Sequence, residues 1–71
     1  MKLFIKKERY HKGNESEFYT VKARYNNVNF HITYDCKTEN ILIHEWYKFN
    51  KEQLMDVQEQ IKLHFKNNTE K

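Results

Sequence analysis

The sequence predicts an α+β fold, an antiparallel β-meander of three to four strands with one C-terminal amphipathic helix packed on one face. Three observations support this prediction. Apolar and polar residues alternate on both sides of Asn26-Asn27, strand-forming residues follow Asn40, and apolar residues recur every three or four positions after Asn50. The 71 residues are predicted to form a single domain, 1–71, because a chain this short supports only one hydrophobic core.

The first strand is predicted at about residues 2–10, before a turn-forming stretch that contains Gly13. Two registers against the next strand are open. A tight turn beginning at Gly13 places Phe4 opposite Ala23 and leaves Ile5 on the other face, whereas a longer loop reverses the two faces. The local pattern does not choose between these registers.

The central hairpin is predicted from strands at about 17–25 and 28–34. Two-residue hairpin turns of type I′ need a positive φ at both central positions, and asparagine tolerates this conformation better than most residues. With Asn26-Asn27 as the turn, each pair on one face is apolar, and a slip of one residue would destroy this match. The expected pairs are Tyr25–Val28, Ala23–Phe30, Val21–Ile32 and Tyr19–Tyr34.

The fourth strand is predicted at about 41–47, after a turn at residues 35–40. If Asp35 pairs with Asn40, then Tyr34 meets Ile41 and Ile32 meets Ile43. Continued to the end of the strand, the same register places Glu45 opposite Phe30 and Tyr47 opposite Val28. Glu45 is the one polar residue that this arrangement turns toward the apolar face.

The helix is predicted at about 51–66, with residues 67–71 as a frayed tail. Asn50 is a strong N-cap, and Gln53 stands at the third helical position, as in a capping box. Phe49 before the cap has the spacing of a hydrophobic staple with Leu54. The apolar stripe expected to face the sheet consists of Leu54, Val57, Ile61 and Phe65.

Composition and charge indicate which classes of partner and which cellular location to expect. The net charge is +3 and the isoelectric point is about 9.0, which permits a nucleic-acid or acidic-protein partner without requiring one. There is one cysteine, Cys36, so no internal disulfide can form and we expect a cytoplasmic location. No apolar run approaches membrane-spanning length, and we therefore expect no membrane partner.

With the helix on one face, the opposite sheet face is left for function, and we call it the open face. Lys22 is expected opposite His31, and His31 opposite His44. Arg24 is expected beside Asn29, which in turn neighbours Trp46. The predicted binding residues on the open face are Lys22, Arg24, His31, His44 and Trp46.

These residue types favour a small non-catalytic binding module that binds nucleic acid through a basic and aromatic sheet face. Cations neutralise phosphates, and an exposed tryptophan can stack on a base. The alternative is a protein-binding inhibitor or regulator of phage or mobile-element type that acts on a host or defence protein, because aromatic residues and arginine also dominate protein interfaces. A homodimer through the open face or an unpaired edge strand is compatible with the same residues.

The sequence predicts no enzyme, no catalytic residues and no cofactor. His31 and His44 could place two imidazoles near one metal ion, but zinc sites usually show closely spaced ligands such as CxxC, which are missing here. We therefore predict no metal site. Cys36 is expected to be an unreactive thiol, because Asp35 and Glu39 lie near it in the turn and acidic neighbours disfavour the thiolate.

Overall fold

In the computed structural model, which describes residues 1–69 and the side chains of residues 1–67, a four-stranded antiparallel sheet precedes one long helix. The sheet order β1-β2-β3-β4 follows the chain, which confirms the predicted meander. The described part of the chain contains no helix with the length and apolar character needed to cross a bilayer. The elements are β1 (Phe4–Lys12), β2 (Glu17–Tyr25), β3 (Val28–Asp35), β4 (Ile41–Ile43), a 3₁₀ helix (Trp46–Lys48) and α1 (Lys51–Thr69).

The β2–β3 hairpin has the predicted register in all four apolar pairs, from Tyr25–Val28 to Tyr19–Tyr34. Asn26 and Asn27 have φ values of 52° and 62°, so both central residues adopt the left-handed conformation that a type I′ turn requires. Val21 and Ala23 of β2 are each 1% exposed. The local turn chemistry and the apolar alternation thus specify the same hairpin.

The loop between β1 and β2 and a bulge within β1 together decide the register that the sequence leaves open. Lys12 pairs with Glu17, and the Gly13 N–H donates to the Ser16 carbonyl (2.8 Å). Continued without interruption, this pairing would place Lys6 opposite Ala23, but the register shifts between Ile5 and Lys7, and Ile5 rather than Phe4 lies opposite Ala23. β1 therefore begins and ends two residues later than the predicted strand at 2–10.

One hydrophobic core contains side chains from the sheet and from α1. The Phe65 ring stacks on the Tyr34 ring at a centroid distance of 4.2 Å and lies 4.9 Å from the Tyr19 ring. Phe49 enters the same core with its ring 4.9 Å from that of Phe30. Among the described side chains of α1, the buried ones are Val57, Ile61 and Phe65. They belong to the predicted stripe, whose fourth member, Leu54, is partly buried against the same core.

The start of α1 is fixed by the predicted capping box. Asn50 Oδ1 accepts a hydrogen bond from the Gln53 N–H (2.8 Å), and Gln53 Oε1 accepts one from the Asn50 N–H (3.0 Å). These reciprocal bonds satisfy two backbone donors that a helix start leaves without partners. The helix continues to Thr69, past the predicted end at residue 66. The remainder of the predicted frayed tail, 70–71, lies outside the described residues.

β4 is shorter than predicted and ends at Ile43 instead of residue 47. The His44 N–H donates to the His31 carbonyl (2.9 Å), but the His31 N–H donates to Glu45 Oε1 (2.9 Å). In a continued ladder the His31 N–H would bond to the His44 carbonyl instead. The Glu45 carboxylate replaces that backbone acceptor, and the chain turns into the 3₁₀ helix. The predicted pairings of Glu45 with Phe30 and of Tyr47 with Val28 are wrong for this reason.

Candidate functional site

A β-bulge in β1 lets Ile5 lie on the apolar face while two additional cations lie on the open face. The register shifts between Ile5 and Lys7, so Lys6 is an extra residue without a partner in β2. Without the shift, Ile5, Lys7 and Arg9 would share one face, because side chains alternate along a strand. The bulge reverses the alternation, and Lys7 and Arg9 consequently share the open face with Lys22 of β2.

These cations surround a shallow depression of about 520 Å³ on the open face. Lys7 pairs directly with Lys22, and Lys22 pairs with His31, which forms a row of basic side chains across three strands. Arg9 pairs with Thr20 at the next position of that face. The side chains that line the depression on this face are Lys7, Arg9, Thr20, Lys22, His31, Thr33, His44 and Glu45.

Hydrogen bonds hold both predicted histidines against the sheet. His31 Nδ1 lies 2.9 Å from Glu45 Oε2, and His44 Nε2 lies 2.8 Å from Thr33 Oγ1. Burial favours the neutral form of Glu45, but hydrogen bonds from His31 outweigh it and lower the pKa of Glu45 below 4.5. Glu45 is therefore ionised at neutral pH, and its negative charge lies at the β4 side of the depression.

Arg24, also predicted as a binding residue, lies on the open face near the end of the β2–β3 hairpin. It pairs with Phe4 of β1 and with Asn29 of β3, and Nη2 of Arg24 donates to Asn27 Oδ1 (2.9 Å). Lys6 Nζ donates to Asn29 Oδ1 (3.2 Å), so the bulged residue also extends over this face. Arg24 lines a smaller, separate depression of about 260 Å³ with Phe4.

Trp46 does not pair with Asn29 across the sheet, and the expected pairing of these two residues is wrong. Because β4 ends at Ile43, Trp46 begins the 3₁₀ helix instead of continuing the sheet. Its side chain is 60% exposed and makes an edge-to-face contact with the Tyr47 ring at 6.0 Å. Tyr47 is 66% exposed, so the two rings form an exposed aromatic pair outside the depression.

Among the described side chains, the lysines and the arginine of the large depression form no ion pair with a carboxylate. Among the side chains described, no carboxylate lies within 4.0 Å of the charged atoms of Lys7, Arg9 or Lys22. On this face the Glu45 carboxylate contacts a histidine, His31, at 2.9 Å. The cations therefore remain available for an anionic ligand.

The structure also bears on metal binding and on the reactivity of the cysteine. In the part of the chain that the structure describes, no group of three His, Cys, Asp or Glu side chains is arranged to hold a metal ion. Burial raises the pKa of the Cys36 thiol, and the Glu17 and Asp35 carboxylates raise it further. Both effects favour the less reactive protonated thiol.

Lys7 and Arg9 are absent from the sequence prediction because their face depends on the register of β1, which the local pattern leaves open. One signal in the sequence, the aromatic residue Tyr10, is consistent with the reversed alternation. Uninterrupted alternation would place Tyr10 with Lys6 and Glu8 on the face opposite to Ile5. In the structure its ring lies 5.0 Å from that of Tyr19, a residue of the apolar alternation in β2. A requirement that Ile5 and Tyr10 both lie on the apolar face would have predicted a bulge between them.

No protein-family model, curated protein or solved structure matches this chain.

Proposed function

We propose that this protein is a non-catalytic module that binds nucleic acid through the open face of its sheet. The observation that carries the proposal is the cluster of Lys7, Arg9 and Lys22 around one depression, with no described carboxylate in ion-pair contact with them. Concentrated positive charge attracts a polyanion and accounts for most sequence-independent nucleic-acid affinity.

The spacing of these cations supports a phosphate-bearing ligand. Lys7 and Lys22 are direct neighbours on adjacent strands, which lie about 4.8 Å apart. Arg9 lies two residues from Lys7 on the same strand, a separation of about 6.7 Å. Three cations at such intervals can contact successive phosphates of one backbone. Thr20 and Thr33 add hydroxyl groups, which also contact phosphate oxygens in nucleic-acid complexes.

Salt-dependent binding to labelled oligonucleotides tests the proposal. Fluorescence anisotropy would be measured with single strands and duplexes of mixed sequence at low and moderate salt. About three phosphate contacts to a single strand predict a roughly twentyfold loss of affinity between about 50 and 200 mM salt. No binding at the lower salt concentration, where electrostatic contacts are strongest, would refute the proposal.

Two charge-reversal double variants distinguish binding at the open face from a general effect of net charge. The double variant that combines Lys7→Glu and Lys22→Glu should bind about tenfold or more weakly, because two phosphate contacts become repulsive. The matched control is Lys51→Glu with Lys62→Glu, which changes the net charge equally but alters exposed residues of α1. Equal losses in both variants would mean that affinity follows net charge and that the open face is not the site.

Protein binding is the second candidate function, and the Trp46–Tyr47 pair favours it. Large exposed aromatic rings are frequent hot spots of protein interfaces, and this pair lies outside the basic depression. Trp46→Ala with Tyr47→Ala should leave oligonucleotide affinity unchanged if the open face binds nucleic acid. If this protein instead inhibits or regulates a partner protein through these two rings, its binding to oligonucleotides would be only a nonspecific effect of its charge.

A further inference from the structure

The two ends of the open face carry aromatic rings that a phosphate-binding surface alone does not require. Phe4, on β1, pairs with Arg24 and is 57% exposed. Phe18, on β2, pairs with His11 near the opposite end of the same two strands. By the alternation along β2, Phe18 shares the open face with Lys22 and Arg24.

Both rings have a defined local setting. Phe18 is half-buried and stacks on the His11 ring, with the centroids 4.7 Å apart and the planes inclined by 16°. His11 is itself held by Thr20, whose Oγ1 lies 3.0 Å from His11 Nε2. Phe4 lies beneath the ammonium group of Lys2, 5.8 Å from the ring centroid. The cations Lys7, Arg9 and Lys22 therefore lie between two aromatic positions.

We propose, as a refinement of the proposed function, that the ligand is single-stranded nucleic acid whose unpaired bases stack on Phe4 and Phe18 while its phosphates follow the cations between them. From Phe4 to His11, the partner of Phe18, the strand covers about 20 Å. A site of this length suits a few nucleotides, the lower part of the range for small β-domains that bind single strands.

The aromatic rings discriminate against a duplex. In a double helix the bases are stacked on one another and paired, so a protein ring reaches a base face only where the bases are separated. A duplex on this sheet would contact the cations but leave both phenylalanines without a partner. A single strand can contact the rings and the cations together. Its bases can stack in the same way whether the backbone contains deoxyribose or ribose.

A comparison of strand types is the first test. We expect a single strand of about 12 nucleotides, either oligothymidine or oligouridine, to bind at least about tenfold more tightly than a duplex of the same length at equal salt. Oligothymidine and oligouridine would distinguish DNA from RNA as the preferred backbone. Equal affinity for single strand and duplex would overturn the inference and leave the proposed nucleic-acid function intact, whereas no binding to either would reject both.

Substitution of the rings is the second test. Phe4→Ala and Phe18→Ala should each weaken single-strand binding about fivefold to a hundredfold, the range expected for loss of one stacked base. Neither should alter affinity for an abasic strand of the same length, because that strand has no base to stack. Phe4→Leu and Phe18→Leu retain apolar bulk and should show the same selective loss if the alanine variants do not fold.

Tyr47→Ala is the matched control, because it removes an exposed aromatic ring outside the sheet and should not change single-strand affinity. Polyglutamate of the same charge provides the corresponding test for an acidic protein partner. If polyglutamate binds as tightly as oligothymidine, or if the phenylalanine variants weaken abasic and normal strands equally, then base stacking does not contribute and the inference is wrong.

Discussion

Phe65→Ala should remove most of the stability of this protein, because Phe65 joins α1 to two strands of the sheet. Phe65 is 2% exposed, and its ring contacts those of Tyr34 and Tyr19 at centroid distances of 4.2 and 4.9 Å. Truncating a buried phenylalanine to alanine costs about 3–5 kcal/mol. Each favourable ring pair adds about 0.5–1.5 kcal/mol beyond the area that it buries, so we expect the upper half of that range.

This loss is large compared with the total free energy of unfolding. At about 0.05–0.15 kcal/mol per residue, a domain of this length has only roughly 4–11 kcal/mol of stability. Phe65→Ala should therefore unfold in dilute urea or be partly unfolded without it. Phe65→Leu, which keeps most of the side-chain volume, should cost about 1–2 kcal/mol, mainly through the lost ring contacts.

Urea unfolding followed by far-ultraviolet circular dichroism is the appropriate measurement. Trp46 is largely exposed, so its fluorescence would change little on unfolding and would report poorly on the core. Leu63→Ala is the control, because Leu63 belongs to the same helix but is 53% exposed, and it should change stability by less than about 0.5 kcal/mol. A cost below about 1 kcal/mol for Phe65→Ala, or equal costs at both positions, would refute the role of Phe65 in joining helix and sheet.

Three further predictions concern the helix cap, the central turn and one tyrosine. Asn50→Ala should destabilise the protein by about 1 kcal/mol in urea unfolding, because the Gln53 N–H loses its acceptor; an unchanged midpoint would contradict this role. Asn26→Ala should cost about 1 kcal/mol and Asn26→Gly much less, since φ is 52° at this position; equal thermal midpoints for the two variants would show that the turn imposes no strain. Tyr10 donates a hydrogen bond to Glu17 (2.5 Å), which raises the pKa of Tyr10 from 10.0 to about 12. Its folded-state pKa exceeds the unfolded value, so this bond contributes stability that is fully present below pH 10 and is lost as the pH rises toward 12. Ultraviolet titration of tyrosine ionisation should detect this group, and Glu17→Gln should return the pKa toward 10.0; an unchanged titration in that variant would assign the shift to another cause.

The bulge at Lys6 links the fold to the proposed site. Its extra residue lets Ile5 lie on the apolar face although Lys7 and Arg9 lie on the face that holds Lys22. The same shift turns Tyr10 toward Tyr19, so one local irregularity supplies cations to one face and an aromatic contact to the other. Bulges often redirect side chains next to functional sites, and here the redirected side chains are the ones on which the proposed function rests.

The sequence alone determined the features that depend on residues close together in the chain. Asn26-Asn27 set the turn and hence the β2–β3 register, because the preferred backbone conformation and the apolar alternation on both sides agree. The start of α1 followed from Asn50 and Gln53, whose capping bonds span three residues. These contacts form whenever the local segment adopts its preferred structure.

Only the tertiary structure decided the register of β1 and the end of β4. The local pattern of β1 fits two registers, and the choice depends on whether Ile5 or Phe4 faces a core built by distant residues. β4 ends where the Glu45 side chain takes the backbone N–H of His31, a residue 14 positions away. No local propensity encodes such a competition between a side chain and a backbone acceptor, because its outcome depends on where the assembled sheet places the donor.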